Sequence, residues 1–261
     1  MPGPGERREE QTIGEDRAGE YELDKDRVHI WRAGLDVDNA RLEKLGRFLA
    51  RDELETASRF HFPKDRERFI AGRGMLRVLL GHYMQMRPDE IQLAYGPYGK
   101  PVLSNAPPHN SFNFNVSHAG GLVLYAITRA GRIGIDLERV VADFDWQEIA
   151  DHFFSVREKA VLRTLPENAR HDTFFQFWTR KEAYFKAMGE GLSLALNRWQ
   201  AVSDHATGWT LYTFVPKPGY AAAVAVEAEG CRFSFSECER TDAPSLPPLR
   251  PLFAQDSLGK S

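Results

Sequence analysis

Two carboxylates stand two residues apart at Asp136 and Glu138, inside a segment whose apolar residues recur at every second position. On a β-strand this spacing places both carboxylates on one face and Ile135 and Leu137 on the other. Adjacent carboxylates repel each other unless a cation lies between them, and Mg²⁺ typically takes one or two carboxylates together with substrate phosphates. The pair therefore predicts a magnesium site; the alternative is a solvated strand face without a metal.

Glu182 and Lys186 form a second pair, four residues apart, which is the spacing of neighbours on one face of a helix. Such a pair can be an ordinary ion pair worth about 0.2–0.5 kcal/mol. Aromatic side chains crowd the same segment at Phe174, Phe175, Phe177, Trp178, Tyr184 and Phe185. A helix that is apolar around much of its circumference is largely buried, and a buried carboxylate or amine is paired or holds a ligand. The spacing leaves both interpretations open.

A polar, glycine-containing turn closes another strand candidate. It reads Asn115-Val116-Ser117-His118-Ala119-Gly120-Gly121. Ser117 and His118 are adjacent, and adjacent strand residues point to opposite faces, so they do not form a nucleophile and its base. His118 is either a hydrogen-bonded turn residue or a ligand contact. The double glycine is a weak phosphate-binding signal, because the chain has neither a P-loop nor a GxGxxG pattern.

Basic residues occur in two further places. Lys100 lies in a tight turn, where most lysines are simply solvated. Positive charge is also concentrated upstream at Arg59, Lys64, Arg66, Arg68, Arg73 and Arg77. These residues form either solvated helix faces or a binding surface for a polyanionic ligand.

The composition of the chain limits the functions that these residues can serve. The 261 residues are 42% hydrophobic and 27% charged, with a net charge of −3, as in a globular protein with a sizeable core. This charge gives no support for binding to nucleic acid or an anionic membrane. No apolar run is long enough to predict a membrane span or a signal peptide. Cys231 and Cys238 are predicted to be reduced thiols in a cytoplasmic protein.

The elements that must position the site are predicted from hydrophobic spacing. Strands are predicted at residues 28–31, 91–95, 112–116, 122–128, 132–138, 211–215, 221–226 and 232–235. Helices are predicted at residues 64–84 and 172–188, near residues 42–49, and after a capping box at Ser155 and Glu158. Strands and helices occur in blocks, which predicts an α+β fold. Residues 1–24 are predicted to be a disordered N-terminal tail and residues 241–261 a Pro-rich C-terminal tail.

Together these segments resemble the larger, Sfp-type 4′-phosphopantetheinyl transferases. The matching segments are Gly99-Lys100-Pro101, Phe114-Asn115-Val116-Ser117-His118, Gly134-Ile135-Asp136-Leu137-Glu138, Phe153-Phe154-Ser155-x-x-Glu158, and Trp178-x-x-Lys181-Glu182-Ala183-x-x-Lys186 followed by Gly189-x-Gly191-Leu192. Each is weak alone, but they occur in the order of the family and with similar gaps. The resemblance covers residues 59–192 by motif and residues 25–240 by architecture.

The resemblance implies two similar α+β halves, a pseudo-dimer within one chain, with the active site in the cleft between them. The halves would be residues 25–128 and residues 129–240, the second carrying the magnesium ligands, and the length implies a monomer. The implied reaction is that of a holo-[acyl-carrier-protein] synthase. It transfers 4′-phosphopantetheine from coenzyme A to a serine of an apo acyl or peptidyl carrier protein, in fatty-acid, polyketide or nonribosomal peptide biosynthesis, and releases adenosine 3′,5′-bisphosphate.

The resemblance also implies roles for individual residues. Asp136, Glu138 and Glu182 would be the ligands of Mg²⁺, with Mn²⁺ as an alternative. Glu182 would also be the general base for the incoming serine, directly or through water. Lys186 would stabilise or protonate the leaving phosphate, and His118 would hydrogen-bond the pyrophosphate.

Contacts to coenzyme A are implied at Lys100, Asn115, Ser117, His118, Arg73 and Lys186. Family members often bind the 3′-phosphate through basic residues upstream of the Arg59 position or before the Gly-Lys-Pro turn. These neighbourhoods here contain Glu53, Thr56 and Tyr95. Arg73 is the preferred substitute for the missing basic residues, with Arg59 and Arg68 as second choices.

The same residues leave two other classes of function as alternatives to the transferase. A non-catalytic module that binds carrier proteins or coenzyme A would keep the cleft but lose metal ligands or the lysine, and all of these residues are present. Another magnesium-dependent phosphotransferase or nuclease could use the same carboxylates. A nuclease normally has a basic groove, which the net charge of −3 does not support.

Overall fold

Helices and strands occur in blocks along the computed structural model, which describes residues 21–96, 99–106, 111–141, 144–189 and 208–238. The strands are β1 (Arg27–Gly34), β2 (Leu93–Tyr95), β3 (Pro101–Leu103), β4 (Asn113–Ala119), β5 (Leu122–Thr128), β6 (Ile133–Arg139), β7 (Thr210–Phe214), β8 (Tyr220–Val226) and β9 (Arg232–Glu237). The helices are α1 (Asn39–Gly46), α2 (Arg51–Ser58), α3 (Pro63–Met84), α4 (Gln147–Phe153), α5 (Val156–Thr164) and α6 (Glu167–Met188), with a short 3₁₀ helix at Pro88–Glu90. The predicted α+β class is confirmed.

Two main sheets carry the strands. The first has the order β4-β5-β1-β9 and the second β6-β8-β7, while β2 and β3 form a separate hairpin. β1 is antiparallel to β5 and parallel to β9, with Val28 opposite Phe233. The last strand therefore joins the sheet of the first half, although by sequence it lies within the predicted second half, residues 129–240. The division into halves at residues 128 and 129 stays a prediction.

Helix α3 covers one face of the first sheet. Its inward residues Leu76, Leu80 and Tyr83 are buried in a core shared with Trp31 of β1. Tyr21, which the sequence analysis placed in the N-terminal tail, stacks on Trp31 with ring centroids 5.2 Å apart. Residues 1–20 and the predicted C-terminal tail lie outside the described residues, as do Gly191 and Leu192 of the last motif.

Helix α6 packs unusually close to strand β6. A Cβ added at Gly134 would come within 3.0 Å of the carbonyl oxygen of Ala183 and the amide nitrogen of Ala187, a distance that real Cβ atoms essentially never show. A residue without a side chain is therefore required at this crossing. The close approach brings the carboxylates of β6 beside those of α6.

The two main sheets meet along their outer strands, β4 and β6. The side-chain oxygen of Asn115 accepts a hydrogen bond from the Ile135 amide at 2.8 Å, and the Ser117 hydroxyl accepts one from the Leu137 amide at 3.1 Å. The acceptors are two residues apart on β4 and the donors two apart on β6. Side chains of one strand thus satisfy the backbone edge of the other, and this contact is called the seam below.

Two further observations concern membrane-spanning helices and disulfide bonds. None of the described helices is long and apolar enough to cross a membrane. Neither Cys231 nor Cys238 takes part in a disulfide.

Candidate active site

Asp136 lies at the centre of the seam, with only 3% of its surface exposed. Its Oδ1 accepts hydrogen bonds from Lys186 Nζ at 2.6 Å and from the Ser117 hydroxyl at 3.3 Å. Its Oδ2 is buried and has no hydrogen-bond partner among the described residues. A buried, unpaired carboxylate oxygen is costly, so its presence indicates a site that a ligand completes.

Two more carboxylates face Asp136. Burial, followed by the negative charge of Asp136, raises the pKa of Glu138. The same two causes, in the same order, raise the pKa of Glu182 to about 7, and Glu138 adds a smaller repulsion. The predicted pairs of β6 and α6 are therefore close enough to repel one another. The positive charge of Lys186 partly offsets this repulsion, because it lowers the pKa of both Glu138 and Glu182.

These residues fit a divalent cation. The donor set is all carboxylate oxygen, one of these oxygens is buried without a partner, and the mutual repulsion would be relieved by positive charge. Within the described ranges, no three His, Cys, Asp or Glu side chains converge tightly enough to form a ready-made metal cluster. Mg²⁺ does not need one, because it usually keeps several waters and takes only one or two carboxylates. The assignment of Asp136, Glu138 and Glu182 as metal ligands stays a prediction.

Lys100 reaches the same region from the turn before β3. Its ammonium donates hydrogen bonds to the carbonyls of Ile133 at 2.9 Å and Lys186 at 2.8 Å. Burial, with a smaller contribution from Arg132, lowers the pKa of Lys100 to about 8. The side chain thus ties the turn to the start of β6 and to one of the unpaired carbonyls of the last turn of α6.

His118 projects from β4 to the face opposite Ser117 and is exposed. Desolvation by the surrounding protein, and then the charges of Lys186 and Arg73, lower the pKa of His118. The imidazole is therefore neutral at pH 7 and lies within the electrostatic reach of both cations. The assignment of His118 as a contact to the pyrophosphate stays a prediction.

Arg73 is a basic residue of α3 that has a buried donor without a partner among the described residues. Its guanidinium lies 5.6 Å from the ring centroids of both Phe69 and Tyr95, and its Nε is 3.6 Å from Glu53 Oε1. Its Nη1 is buried and has no hydrogen-bond partner among the described residues. Arg77, by contrast, is buried and bonds Glu53 at 2.6 Å. An anion beside Arg73 would use a donor that the protein leaves unpaired.

The other basic residues of this segment face different partners. Arg68 makes two hydrogen bonds to the carboxylate of Asp36, at 2.7 and 2.9 Å. Arg59 caps the end of α2 and is exposed. The basic residues between 59 and 77 therefore do not form one continuous surface.

Lys181 and Trp178 are two further residues of α6 near the site for which the sequence predicted no role. Lys181 is 1% exposed and donates a hydrogen bond to Glu158 Oε2 at 2.8 Å. Glu158 also closes the predicted capping box with Ser155, which is confirmed. The pair holds the start of α5 against α6. The Trp178 side chain partly offsets the rise in the pKa of Glu138 that burial causes. Both residues lie in a motif that carries the family resemblance, and this motif is the sequence signal that could have pointed to them.

Comparisons with known proteins agree with this geometry. A model of the 4′-phosphopantetheinyl transferase superfamily matches residues 132–240, and a model described as 4′-phosphopantetheinyl transferase, N-terminal, matches residues 37–129. The 4′-phosphopantetheinyl transferase HetI of a Nostoc species is 40% identical over 80% of this chain and 92% of its own length. The transferase psf-1 of Bacillus pumilus is 32% identical over 73% and 84% of the two chains, and Sfp of Bacillus subtilis 28% over 70% and 84%.

The two matched segments each contribute one side of the seam, since β4 belongs to the first and both β6 and α6 to the second. The similarity to HetI extends over nearly the whole relative. On these grounds the chain belongs to the 4′-phosphopantetheinyl transferase superfamily, and to its larger, Sfp type.

Proposed function

We propose that this protein transfers 4′-phosphopantetheine from coenzyme A to a serine of an apo acyl or peptidyl carrier protein, and releases adenosine 3′,5′-bisphosphate. The observation that carries the proposal is the buried Asp136, whose Oδ2 has no partner among the described residues while Lys186 holds its Oδ1. An unpaired carboxylate oxygen and a lysine in one site are what a displacement at a charged pyrophosphate needs.

Asp136, Glu138 and Glu182 would hold the cation, Mg²⁺ with Mn²⁺ as the alternative. When bound, the cation would neutralise pyrophosphate charge that otherwise repels the nucleophile. The chain's own contribution is to concentrate three carboxylates, of which Asp136 is buried and the other two half-buried, so that their repulsion favours a cation over solvent.

The remaining roles follow the path of the proton and the leaving group. The serine oxygen forms a bond to the phosphorus that bears the pantetheine arm, and Glu182 accepts the hydroxyl proton directly or through water. The bond from that phosphorus to the oxygen of the nucleotide phosphate breaks. Lys186 donates a hydrogen bond or a proton to the departing phosphate. Neutral His118 hydrogen-bonds the pyrophosphate, and Arg73 binds the 3′-phosphate.

The enzyme would be of the holo-[acyl-carrier-protein] synthase type and would act as a monomer in the cytoplasm. The monomer is supported by the seam, because strands β4 and β6 of one chain supply both sides of the site. Carrier serines of this kind often have acidic neighbours, and we expect an acidic carrier surface to dock near the cleft.

The test is intact-protein mass spectrometry of an apo carrier protein incubated with this protein, coenzyme A and Mg²⁺. We expect the carrier to gain one phosphopantetheine, and EDTA or replacement of the carrier serine by alanine to abolish the gain. Adenosine 3′,5′-bisphosphate should appear only when apo carrier is present. Coenzyme A binding without transfer to several unrelated carriers would instead favour a narrow-specificity enzyme or a binding module.

A further inference from the structure

We propose that Ser117 is a positioning residue, whose hydroxyl orients Asp136 and Lys186 across the seam and does not contact coenzyme A. The inference rests on the proposed function, because it takes Asp136 and Lys186 as parts of the reacting site. It differs from the expectation drawn from the family resemblance, which placed Ser117 beside the nucleotide.

The hydrogen bonds of Ser117 use its whole capacity. A hydroxyl has one donor and two acceptor positions. The Ser117 oxygen accepts from the Leu137 amide at 3.1 Å and from Lys186 Nζ at 3.1 Å, and its hydrogen points to Asp136 Oδ1 at 3.3 Å. The residue is also 5% exposed. The Ser117 hydroxyl therefore has no hydrogen-bonding position left for a nucleotide and almost no surface to offer it.

The same contacts fix the direction of the groups that the reaction uses. Lys186 and Ser117 both bind Oδ1 of Asp136, so the carboxylate cannot turn freely and its Oδ2 is the oxygen left for a cation. Lys186 has three N–H donors and spends two of them on Asp136 and Ser117. One donor of its partly exposed ammonium remains for a phosphate oxygen.

Asn115 is a comparison residue, because it joins the two sheets but, among the described residues, does not bind the proposed reacting groups. It stands two residues before Ser117 on the same face of β4 and accepts from the Ile135 amide at 2.8 Å. No bond from Asn115 to Asp136, Glu182 or Lys186 is found in the described part of the chain. Both residues join the sheets, and only Ser117 also joins the proposed reacting groups.

The decisive variants keep or remove the hydroxyl. In Ser117→Ala we expect kcat to fall about 10- to 100-fold, because misplacing a reacting group by about 1 Å can cost that much, while KM for coenzyme A stays within about twofold. Ser117→Thr keeps the hydroxyl on a β-branched residue suited to a strand, and should retain kcat within about threefold. Ser117→Cys keeps the volume with a weak donor and should resemble the alanine variant.

Thr128→Val is the matched control for loss of a buried strand hydroxyl. Thr128 is fully buried at the far end of the neighbouring strand β5, and its hydroxyl donates to the Arg27 carbonyl at 2.8 Å. We expect this variant to lose stability, as Ser117→Ala does, but to keep its kcat. If Ser117→Ala does not fold, the comparison of Ser117→Cys with Ser117→Thr decides the same question.

A second readout does not depend on activity. Mn²⁺ binding to the protein alone, without coenzyme A or carrier, is measured by electron paramagnetic resonance. We expect Ser117→Ala to bind Mn²⁺ several-fold more weakly than the wild type and Ser117→Thr to bind it normally, because Asp136 Oδ2 is no longer held in place.

The outcomes separate this inference from the proposed function. A normal kcat with a raised KM for coenzyme A in Ser117→Ala would show that the hydroxyl contacts the nucleotide, and unchanged kinetics and Mn²⁺ binding would show that it positions nothing. Either result overturns the inference while Asp136→Ala remains inactive. An active Asp136→Ala enzyme would overturn the proposed function itself.

Discussion

Replacement of Gly134 by alanine is the strongest test of how this fold holds its site. The new Cβ would come within 3.0 Å of the backbone of Ala183 and Ala187, where no flexible side chain can give way. Ordinary contact begins near 3.4 Å, and the new Cβ would fall short of it by about 1.0 Å at the Ala187 nitrogen and about 1.4 Å at the Ala183 oxygen, so α6 must retreat from β6 by about 1.0–1.4 Å. The hydrogen bond from Lys186 Nζ to Asp136 Oδ1, now 2.6 Å, would lengthen to about 3.6–4.0 Å, which is beyond hydrogen-bond distance.

The expected losses follow from that displacement. Overpacking against a backbone costs about 1–3 kcal/mol of unfolding free energy, and a shift of about 1 Å at the reacting groups lowers kcat about 100-fold. Urea unfolding and carrier modification measure the two effects. Gly46→Ala in α1 is the control, because its Cβ would meet only Ile70 at an ordinary 3.5 Å. A Gly134→Ala protein with normal stability and normal rate would refute the close-approach argument.

Four further outcomes are expected. Asp136→Ala and Glu182→Ala should each abolish transfer while the thermal transition persists; turnover at the wild-type rate would remove that residue from the metal site. Lys186→Ala should lower the single-turnover rate more than it raises KM for coenzyme A, and an unchanged rate would refute its role at the leaving phosphate. Arg73→Ala should raise KM for coenzyme A but not for dephospho-coenzyme A; equal effects on both would exclude the 3′-phosphate contact. Burial lowers the pKa of His29 from 6.5 to about 4, so the unfolded chain binds a proton that the folded chain excludes. Unfolding free energy should fall by about 2 kcal/mol from pH 7 to pH 5, and a pH slope in His29→Asn equal to that of the wild type would contradict this cause.

Local signals in the sequence predicted most of the elements. Strand β5 has the predicted bounds, and the capping box that begins α5 is present. Helices α2 and α4 were missed because they bury too few apolar residues to produce a helical pattern. The buried residues of α2 are Glu53 and Ala57, and α4 buries only Ala150. Hydrophobic spacing cannot reveal a helix that is held partly by a buried carboxylate.

Glu53 also explains why Arg77 fits neither interpretation of the basic segment, the solvated helix face or the anion-binding surface. Sequence composition treats Arg73 and Arg77 alike, as cations on a helix. Arg77 is 2% exposed and donates to Glu53 and to the carbonyls of Pro88 and Ile91. These partners lie 11 to 24 residues away, so no local pattern separates a structural arginine from one with a free donor. Only the fold makes that distinction.

In the candidate site, too, some features could be predicted from the sequence and others depend on the fold. Spacing and resemblance identified the carboxylates and Lys186, because each pair lies within one element. They did not reveal what Lys100 and Ser117 bind, since those partners lie on another element, 33 to 86 residues away for Lys100. The sequence shows that a side chain can form hydrogen bonds, and the meeting of β4 with β6 determines which atoms receive them.

The placement of the site therefore depends on contacts between the two sheets. Each link joins a side chain of the first matched segment to a group of the second: Ser117 to the Leu137 amide and Asp136, and Lys100 to the Lys186 carbonyl. The carboxylates and Lys186 all belong to the second segment, yet Ser117, which binds both Asp136 and Lys186, comes from the first. Neither segment forms the site alone. Ser117 of the first segment accepts the hydrogen bond of the Leu137 amide and donates one to Asp136, and both of these partners lie in the second segment. Covalent connection of the two segments keeps both sides of the seam at high effective concentration.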